Sequence, residues 1–500
     1  MSDAPLGRLR ERLGEIADLR AAADLLHWDQ EVNMPPKAAA GRGRQLATVA
    51  ALAHRMFTDA EMGEFLKELQ DGAHALAPDD AALVNVTAYD YVRATKLPET
   101  FVHTFAEETS KAYEAWVKAR EISSFPAFQP HLETLLELLK KKADLLGYEG
   151  SPYNALLDEY ERGMRIEQLE AIFAELAPKQ AALVERLVNA THPPDTTWTR
   201  RDWPESRQWD LTVRILSDMG YDFEAGRQDK SVHPFTTSFG LHDVRVTTRF
   251  DAKDPFSAVS SSMHEGGHAL YDQGFQEQDA RTPLAEGASV GIHESQSRMW
   301  ENMIGRSLPF WKHYRPLLNE FFPDVPPHVS AEDVYRTVNC VKPSLIRVEA
   351  DECTYNLHVI MRFEIELALI EERMVVAEIP EVWSAKMKEY LGIAVPNDAQ
   401  GCLQDIHWSL GSMGYFPSYA LGNLYAAQIF ERILEDIPDL WGRIESGRFY
   451  PLLHWLREHV HRHGRRKLAT EMIRDITGAE PMCAPYLRYL ETKYGELYGV

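Results

Sequence analysis

Apolar residues recur at helical spacing over most of this chain, and that period limits its fold more than any other feature. In HLETLLELLKKKADLL, Leu132, Leu135, Leu136, Leu138 and Leu139 follow it, and IEQLEAIFAELAPKQAALVERLV repeats it. A mainly α body is expected. Pro and Gly clusters punctuate the pattern at MPP (34–36), GYEGSP (147–152), HPP (192–194), FFPDVPP (321–327) and YFPS (415–418), spacings that suit helix-to-helix turns. No low-complexity linker, acidic tail or internal repeat divides the chain, so residues 1–500 read as one unit.

One stretch breaks the helical period. In SVHPFTTSFGLHDVRVTTRF (231–250), Val244, Val246, Thr248 and Phe250 alternate with Asp243, Arg245, Thr247 and Arg249, which predicts a small sheet. Its outer edge could pair with an extended peptide, or the hairpin could simply cover the core.

Composition removes several functional classes. The hydrophobic fraction of 45% and charged fraction of 26% are those of a folded globular protein, with no apolar run of membrane-spanning length. A net charge of −23 repels phosphate backbones and anionic lipid, so neither nucleic acid nor membrane is an expected partner. The basic cluster His461, Arg462, His463, Arg465, Arg466 and Lys467 follows an apolar helical stretch and reads as a solvated helix face or helix end. The charged N-terminal stretch lacks the apolar core of a secretory signal, and Cys340, Cys353, Cys402 and Cys483 show no CxxC spacing. A cytoplasmic setting with reduced thiols is expected.

The segment SSMHEGGHALYDQG carries the chemistry. His264 and His268 are four residues apart and project from one face of a helix, where two imidazoles can share one zinc ion. Glu265 can aim its carboxylate at a metal-bound water without being a ligand, and so act as general base. A bare HExxH string arises by chance in roughly one chain in twenty of this composition, so more is needed. Gly266 and Gly267 add to the argument, because each costs about 1 kcal/mol against alanine in a helix interior. Close approach of another backbone or a ligand would explain them.

A hydrolytic zinc needs a third protein ligand and one open position. GIHESQSRMWENM supplies Glu294, 26 residues beyond His268. Neighbouring His293 is the rival, but adjacent helical residues point about 100° apart, so only one faces the metal. Two histidines with a carboxylate form the peptidase set, which favours Glu294. His407, Tyr415 and Tyr419 in GCLQDIHWSLGSMGYFPSY are candidate donors to an oxyanion. Arg347 and Asp351 in PSLIRVEADECTYNLHV stand one helical turn apart. They read either as an exposed ion pair or as a carboxylate anchor, with Asp351 holding the guanidinium that binds a peptide C-terminus.

Taken in order, Asp254-Pro255-Phe256, HEGGH (264–268), HESQ (293–296), IRVEAD (346–351) and GCLQDIHW (401–408) resemble the motifs of the carboxypeptidase Taq family of zinc carboxypeptidases. The likeness extends to LLHWDQEVNMPPKAAAGR, SPYNALLDEYERG and YLETKYGELYG, so it spans the chain. It implies a two-lobed helical body with a deep central groove, similar to neurolysin and angiotensin-converting enzyme, with the small sheet beside the HEXXH helix. It also implies a homodimer that removes single residues from peptide C-termini with broad tolerance. By the same resemblance His264, His268 and Glu294 bind one zinc per chain, for which cobalt or manganese could substitute, and Glu265 is the base. Arg347 belongs to the carboxylate-binding set, Gln404 and His407 face the substrate, and Tyr415 and Tyr419 match the tyrosines of neurolysin-like enzymes. An oligopeptidase cutting internally in short peptides is the alternative, because only the carboxylate anchor separates the two.

Overall fold

The computed structural model describes residues 3–72, 74 and 76–500. Helix accounts for 69% of it, as the apolar period requires, and the only sheet among the described residues has three short strands. Apolar side chains collect in two cores. The larger runs from Ala112 to Tyr498. The smaller is built by the helices Asp3–Val32, Ala39–Phe57, Ala60–Asp71 and Pro78–Lys96, with Leu284 inserted from the main body.

The basic cluster follows a helix end, as expected, and its Arg462 is exposed, but Arg465 and Arg466 are partly buried and tie these parts together. Arg465 pairs with Asp90 at 2.9 Å and Glu286 at 2.8 Å, while Arg466 pairs with Asp79 at 2.9 Å and Asp279 at 2.6 Å. His461 is fully buried, its Nε2 3.1 Å from Gln296 Oε1. The helix Tyr450–His459 ends there, and the following turn is covered by acids hundreds of residues away in sequence. A local pattern cannot reveal such partners.

In the sheet, β1 (Gln228–Lys230) runs parallel to the central β3 (Val244–Thr248), and β2 (Thr236–Ser238) runs antiparallel to it. The expected alternation holds at Val244 and Val246, which enter the main core. It stops at Thr248, short of Phe250, because Thr247 and Thr248 are both buried and spend their hydroxyls on neighbours. β1 lies before the segment that signalled a strand.

The HEGGH helix (Pro255–Asp272) starts where Asp254 accepts from the amides of Phe256 and Ser257, with Pro255 fixing the first turn. Phe256 locks that end against Trp198, Trp203 and Trp311. The glycines permit close packing. A Cβ on Gly267 would lie 2.6 Å from Ser297 Cα and 2.7 Å from the Gln296 carbonyl, both backbone atoms of the facing helix Val290–Arg298. On the far side of that helix, a Cβ on Gly422 of the helix Phe416–Asp436 would lie 2.5 Å from Glu294 Cγ. Three helices therefore stack at glycine distance around Glu294.

Gly267→Ala should lower the melting temperature and deplete bound metal, since the added methyl meets backbone and overpacking typically costs about 1–3 kcal/mol. Gly43→Ala, on the exposed helix Ala39–Phe57 where the new methyl touches nothing within 4 Å, should stabilise by up to about 1 kcal/mol. Thermal unfolding together with metal analysis checks both. Equal behaviour of the two variants would contradict the packing argument.

Candidate active site and metal centre

His264 and His268 leave the HEGGH helix one turn apart and meet Glu294 from the facing helix, whose start is capped by Ser289 Oγ accepting from the Ile292 amide. The three ligand atoms lie within 4.8 Å of one another, with Glu294 Oε2 3.8 Å from His264 Nε2 and 3.6 Å from His268 Nε2. A tetrahedral ion with bonds of about 2.1 Å needs donors roughly 3.4 Å apart, so small adjustments would close this set on a metal. Three protein ligands would leave a tetrahedral ion one position for a reacting group.

Behind each ligand stands a partner that fixes its orientation. His264 Nδ1 donates to Glu301 Oε2 at 2.9 Å, which leaves Nε2 as the metal-facing atom. Arg298 donates to Glu294 Oε1 at 2.7 Å and to Glu301 at 3.3 Å. Ser260 donates to the other Glu301 oxygen at 2.5 Å, and Arg306 lies 3.5 Å from it. Glu301 sits in a π-helical turn, Met299–Ile304, the kind of register change found at functional sites. His268 Nδ1 lies 2.5 Å from His293 Nδ1, and His293 Nε2 lies 2.9 Å from Asp272 Oδ1. His293 is thus behind the metal position, and Glu294 faces it.

The electrostatics favour a cation at this point. Burial opposes charge on His264, yet the carboxylates of Glu294 and Glu301 outweigh it and hold its pKa above the ordinary value. Burial, with His293 and His264 adding to it, holds His268 well below. Burial also opposes charge on Glu301, but Arg298, His264 and Arg306 keep its carboxyl far below the usual range, so it stays an anion. Glu265 is buried beside the ligands, and burial raises its carboxyl. Thr236 of β2 donates to Glu265 Oε2 at 2.7 Å, which is how the small sheet reaches the site.

A second group of side chains adjoins the first. Arg347 is 5% exposed and sits in a short 3₁₀ turn, Arg347–Glu349, followed by extended backbone at Ala350. No α-helical face connects Arg347 with Asp351. The expected pair is therefore absent, and Asp351 instead accepts from the backbone amides of Lys342, Cys353 and Thr354. Asp405 takes its place, accepting from Arg347 Nη2 at 2.8 Å and Nε at 3.1 Å, and also from Arg362. Two guanidinium groups over one carboxylate leave one uncompensated positive charge. Arg347 Nη1 donates to Tyr355 OH at 2.9 Å, and its guanidinium lies 4.9 Å from the Tyr419 ring centroid.

Gln404 Oε1 accepts from Arg347 N and Arg362 Nη2, and its Nε2 donates to backbone carbonyls, so it braces the arginine group from within. His407 Nε2 lies 3.3 Å from Tyr419 OH, and the rings of Tyr415 and Tyr419 are 5.1 Å apart. Burial and the nearby Arg347 push His407 down to about 4, whereas burial and Glu294 raise Tyr415 to about 12. Glu366 holds this segment in place by accepting from Tyr153 OH, Trp408 Nε1 and Gly414 N.

Asp405, Arg362, Tyr355, Arg298, Glu301 and Asp272 escaped the sequence reading. A signal existed for two of them, because Glu294, Arg298 and Glu301 form an i, i+4, i+7 charged stripe along one helix face. The others depend on long-range contacts.

Replacing Glu301 by Gln should keep the fold while weakening metal binding about 10- to 100-fold, because His264 loses its anionic orienting partner. Competition against a chelator measures this, and unchanged affinity would remove Glu301 from the centre.

Comparison with known proteins agrees with this geometry. Residues 8–494 match the family model described as carboxypeptidase Taq (M32) metallopeptidase. Carboxypeptidase 1 of Bacillus subtilis (strain 168) is 40% identical over 97% of each chain, and thermostable carboxypeptidase 1 of Thermus thermophilus is 40% identical over 99% of each. The crystal structure of an M32 carboxypeptidase from Deinococcus radiodurans R1, 41% identical and covering 100% of both chains, superposes with a TM-score of 0.97. Metallocarboxypeptidase 1 of Trypanosoma cruzi, 31% identical over 98% of this chain and 99% of its own, superposes with a TM-score of 0.93. With a family model matched over nearly the whole chain and relatives 40% identical over almost their full length, the chain belongs to the carboxypeptidase Taq family and is a metallocarboxypeptidase.

Proposed function

We propose that this enzyme holds one zinc ion per chain on His264, His268 and Glu294 and releases single residues from the free C-termini of peptides with broad side-chain tolerance. Two imidazole nitrogens and one carboxylate oxygen support zinc, for which cobalt or manganese would be workable substitutes. When bound, the metal supplies a Lewis acid that polarises the scissile carbonyl and acidifies a coordinated water.

The protein's own groups carry the proton and the substrate. Glu265 takes a proton from the attacking water and returns it to the departing amine, a role suited to a carboxyl whose burial brings it closer to neutrality. Thr236 keeps one of its oxygens oriented. Burial keeps Tyr415 and Tyr419 protonated at neutral pH, so each can donate to the developing oxyanion, with His407 as a neutral neighbour. The outer edge of β2 offers backbone groups to an extended peptide.

The observation that carries the exopeptidase reading is the uncompensated charge at Arg347. Of its five N–H groups, Nε and one on Nη2 serve Asp405 and one on Nη1 serves Tyr355, which leaves one on each terminal nitrogen for a carboxylate. Tyr355 accepts from Arg347 and so retains its own proton to donate to the same anion. Residues 1–500 act in this reading as one catalytic unit of two helical lobes, supported by the long main core and the smaller N-terminal one. Pairing as a homodimer and a cytoplasmic setting belong to the same reading, the latter supported by four cysteines that remain thiols.

Arg347→Ala should reduce kcat/KM about 100-fold on a peptide with a free C-terminus, because a charge-assisted pair is lost. The preference for that peptide over its C-terminally amidated counterpart should disappear. Kinetics on the matched pair test this. Equal loss on both would favour the internal-cutting oligopeptidase.

A further inference from the structure

A cavity of about 710 Å³ adjoins the metal centre, and Arg347 is not among the residues that line it. His268, His293, Glu294 and Tyr415 line its inner end, while Arg20 and Arg162 stand in its wall. His407 and Tyr419 are not part of that lining either. With the terminal carboxylate held at Arg347, the cavity receives the part of the peptide that precedes the scissile bond. This step rests on the carboxylate anchor proposed above.

The wall carries five cationic side chains and five carboxylates, but they are not all paired with one another. Each of its acids has a basic partner: Asp158 with Arg93 at 2.8 Å, Glu159 with Lys142 at 2.6 Å, and Asp90 and Glu286 with Arg465 at 2.9 and 2.8 Å. Lys467 is paired with Asp475 at 2.7 Å. Among the described residues Arg20 and Arg162 have no carboxylate within 4 Å. They lie on aromatic rings instead, Arg162 3.6 Å from the Tyr89 centroid and Arg20 5.5 Å from that of Phe57. Arg20 has the carboxylate of Asp24 as an electrostatic neighbour, which leaves Arg162 as the guanidinium on which the wall can offer a free charge.

Arg162 is also fixed relative to the reacting groups. In the turn that carries it, Tyr160 packs edge-on against Tyr415 at 5.0 Å and its carbonyl accepts from Val290 N at 3.1 Å. Glu161 accepts from Gly291 N at the start of the Glu294 helix. Three consecutive residues thus contact the tyrosine donor, cap the ligand helix and place a free guanidinium in the cavity.

We infer that Arg162 is a specificity-determining residue that favours peptides carrying an acidic side chain two positions before the bond cut. A carboxylate there gains a charge-assisted hydrogen bond that glutamine cannot match.

The test uses two acetylated pentapeptides with free C-termini that differ only in Glu or Gln at the third residue from the end. Wild type should favour the Glu peptide about tenfold in kcat/KM, mainly through KM, and less so at high salt. Arg162→Gln should bring the ratio near one, and Arg162→Lys should retain part of it. No preference in wild type, or an undiminished preference in Arg162→Gln, would overturn the assignment. Failure of wild type to release the terminal residue from either peptide would instead count against the carboxylate-anchored reading.

Discussion

Gly267 lets the HEGGH helix press against the backbone of Ser297, and Gly422 lets a third helix press against Glu294 from the other side. The metal centre depends on that double contact. A metal site of this type tolerates errors of only a few tenths of an ångström, and two helices kept apart by ordinary side chains would set the His264–Glu294 distance poorly. With no Cβ in the way, backbone sets the spacing and the side chains adopt it. The destabilisation intrinsic to helical glycine is offset by packing around the buried Met263, Leu216 and Ile292.

Charge is distributed in the same economical way. At the metal centre Glu294 and Glu301 pair with Arg298, and Glu301 also with Arg306, while Glu265 is buried beside them without an arginine partner, so the set is short by one positive charge that a divalent cation would supply. At the neighbouring group, Arg347 and Arg362 exceed Asp405 by one. The loaded cleft is therefore locally positive within a strongly acidic protein. Such a field draws in a peptide carboxylate and stabilises an oxyanion where it forms, while the outer surface repels polyanions. Arg298 links the two groups physically, because it bonds Glu294 and lies 4.3 Å from the ring centroid of Tyr355, which in turn accepts from Arg347.

Much of this was legible in the sequence, for reasons that differ by residue. His264 and His268 could be placed because an i, i+4 spacing fixes a shared face, and Glu294 because a hydrolytic metal needs one more ligand from a separate helix. The helical class followed from the apolar period, and the strand at Val244 from its alternation. Asp351 misled because helical spacing was assumed where the chain makes a 3₁₀ turn. Asp405, two residues from His407, was passed over since nothing local marks it as the partner of an arginine 58 positions earlier. Arg465 and Arg466 in the basic run at 461–467 looked solvated for the same reason, their acids being supplied by Asp79 and Asp90 near the other end of the chain.

In the proposed mechanism turnover depends on a bound metal with Glu265 as its general base. The most direct measurement compares wild type with Glu265→Gln for metal content and for release of the terminal residue from a blocked dipeptide or tripeptide with a free C-terminus. About one metal ion per chain in both proteins, with turnover in wild type and a loss of at least about 100-fold in the variant, is the predicted result. A wild type that binds no metal, or a variant that works as well as wild type, would contradict it.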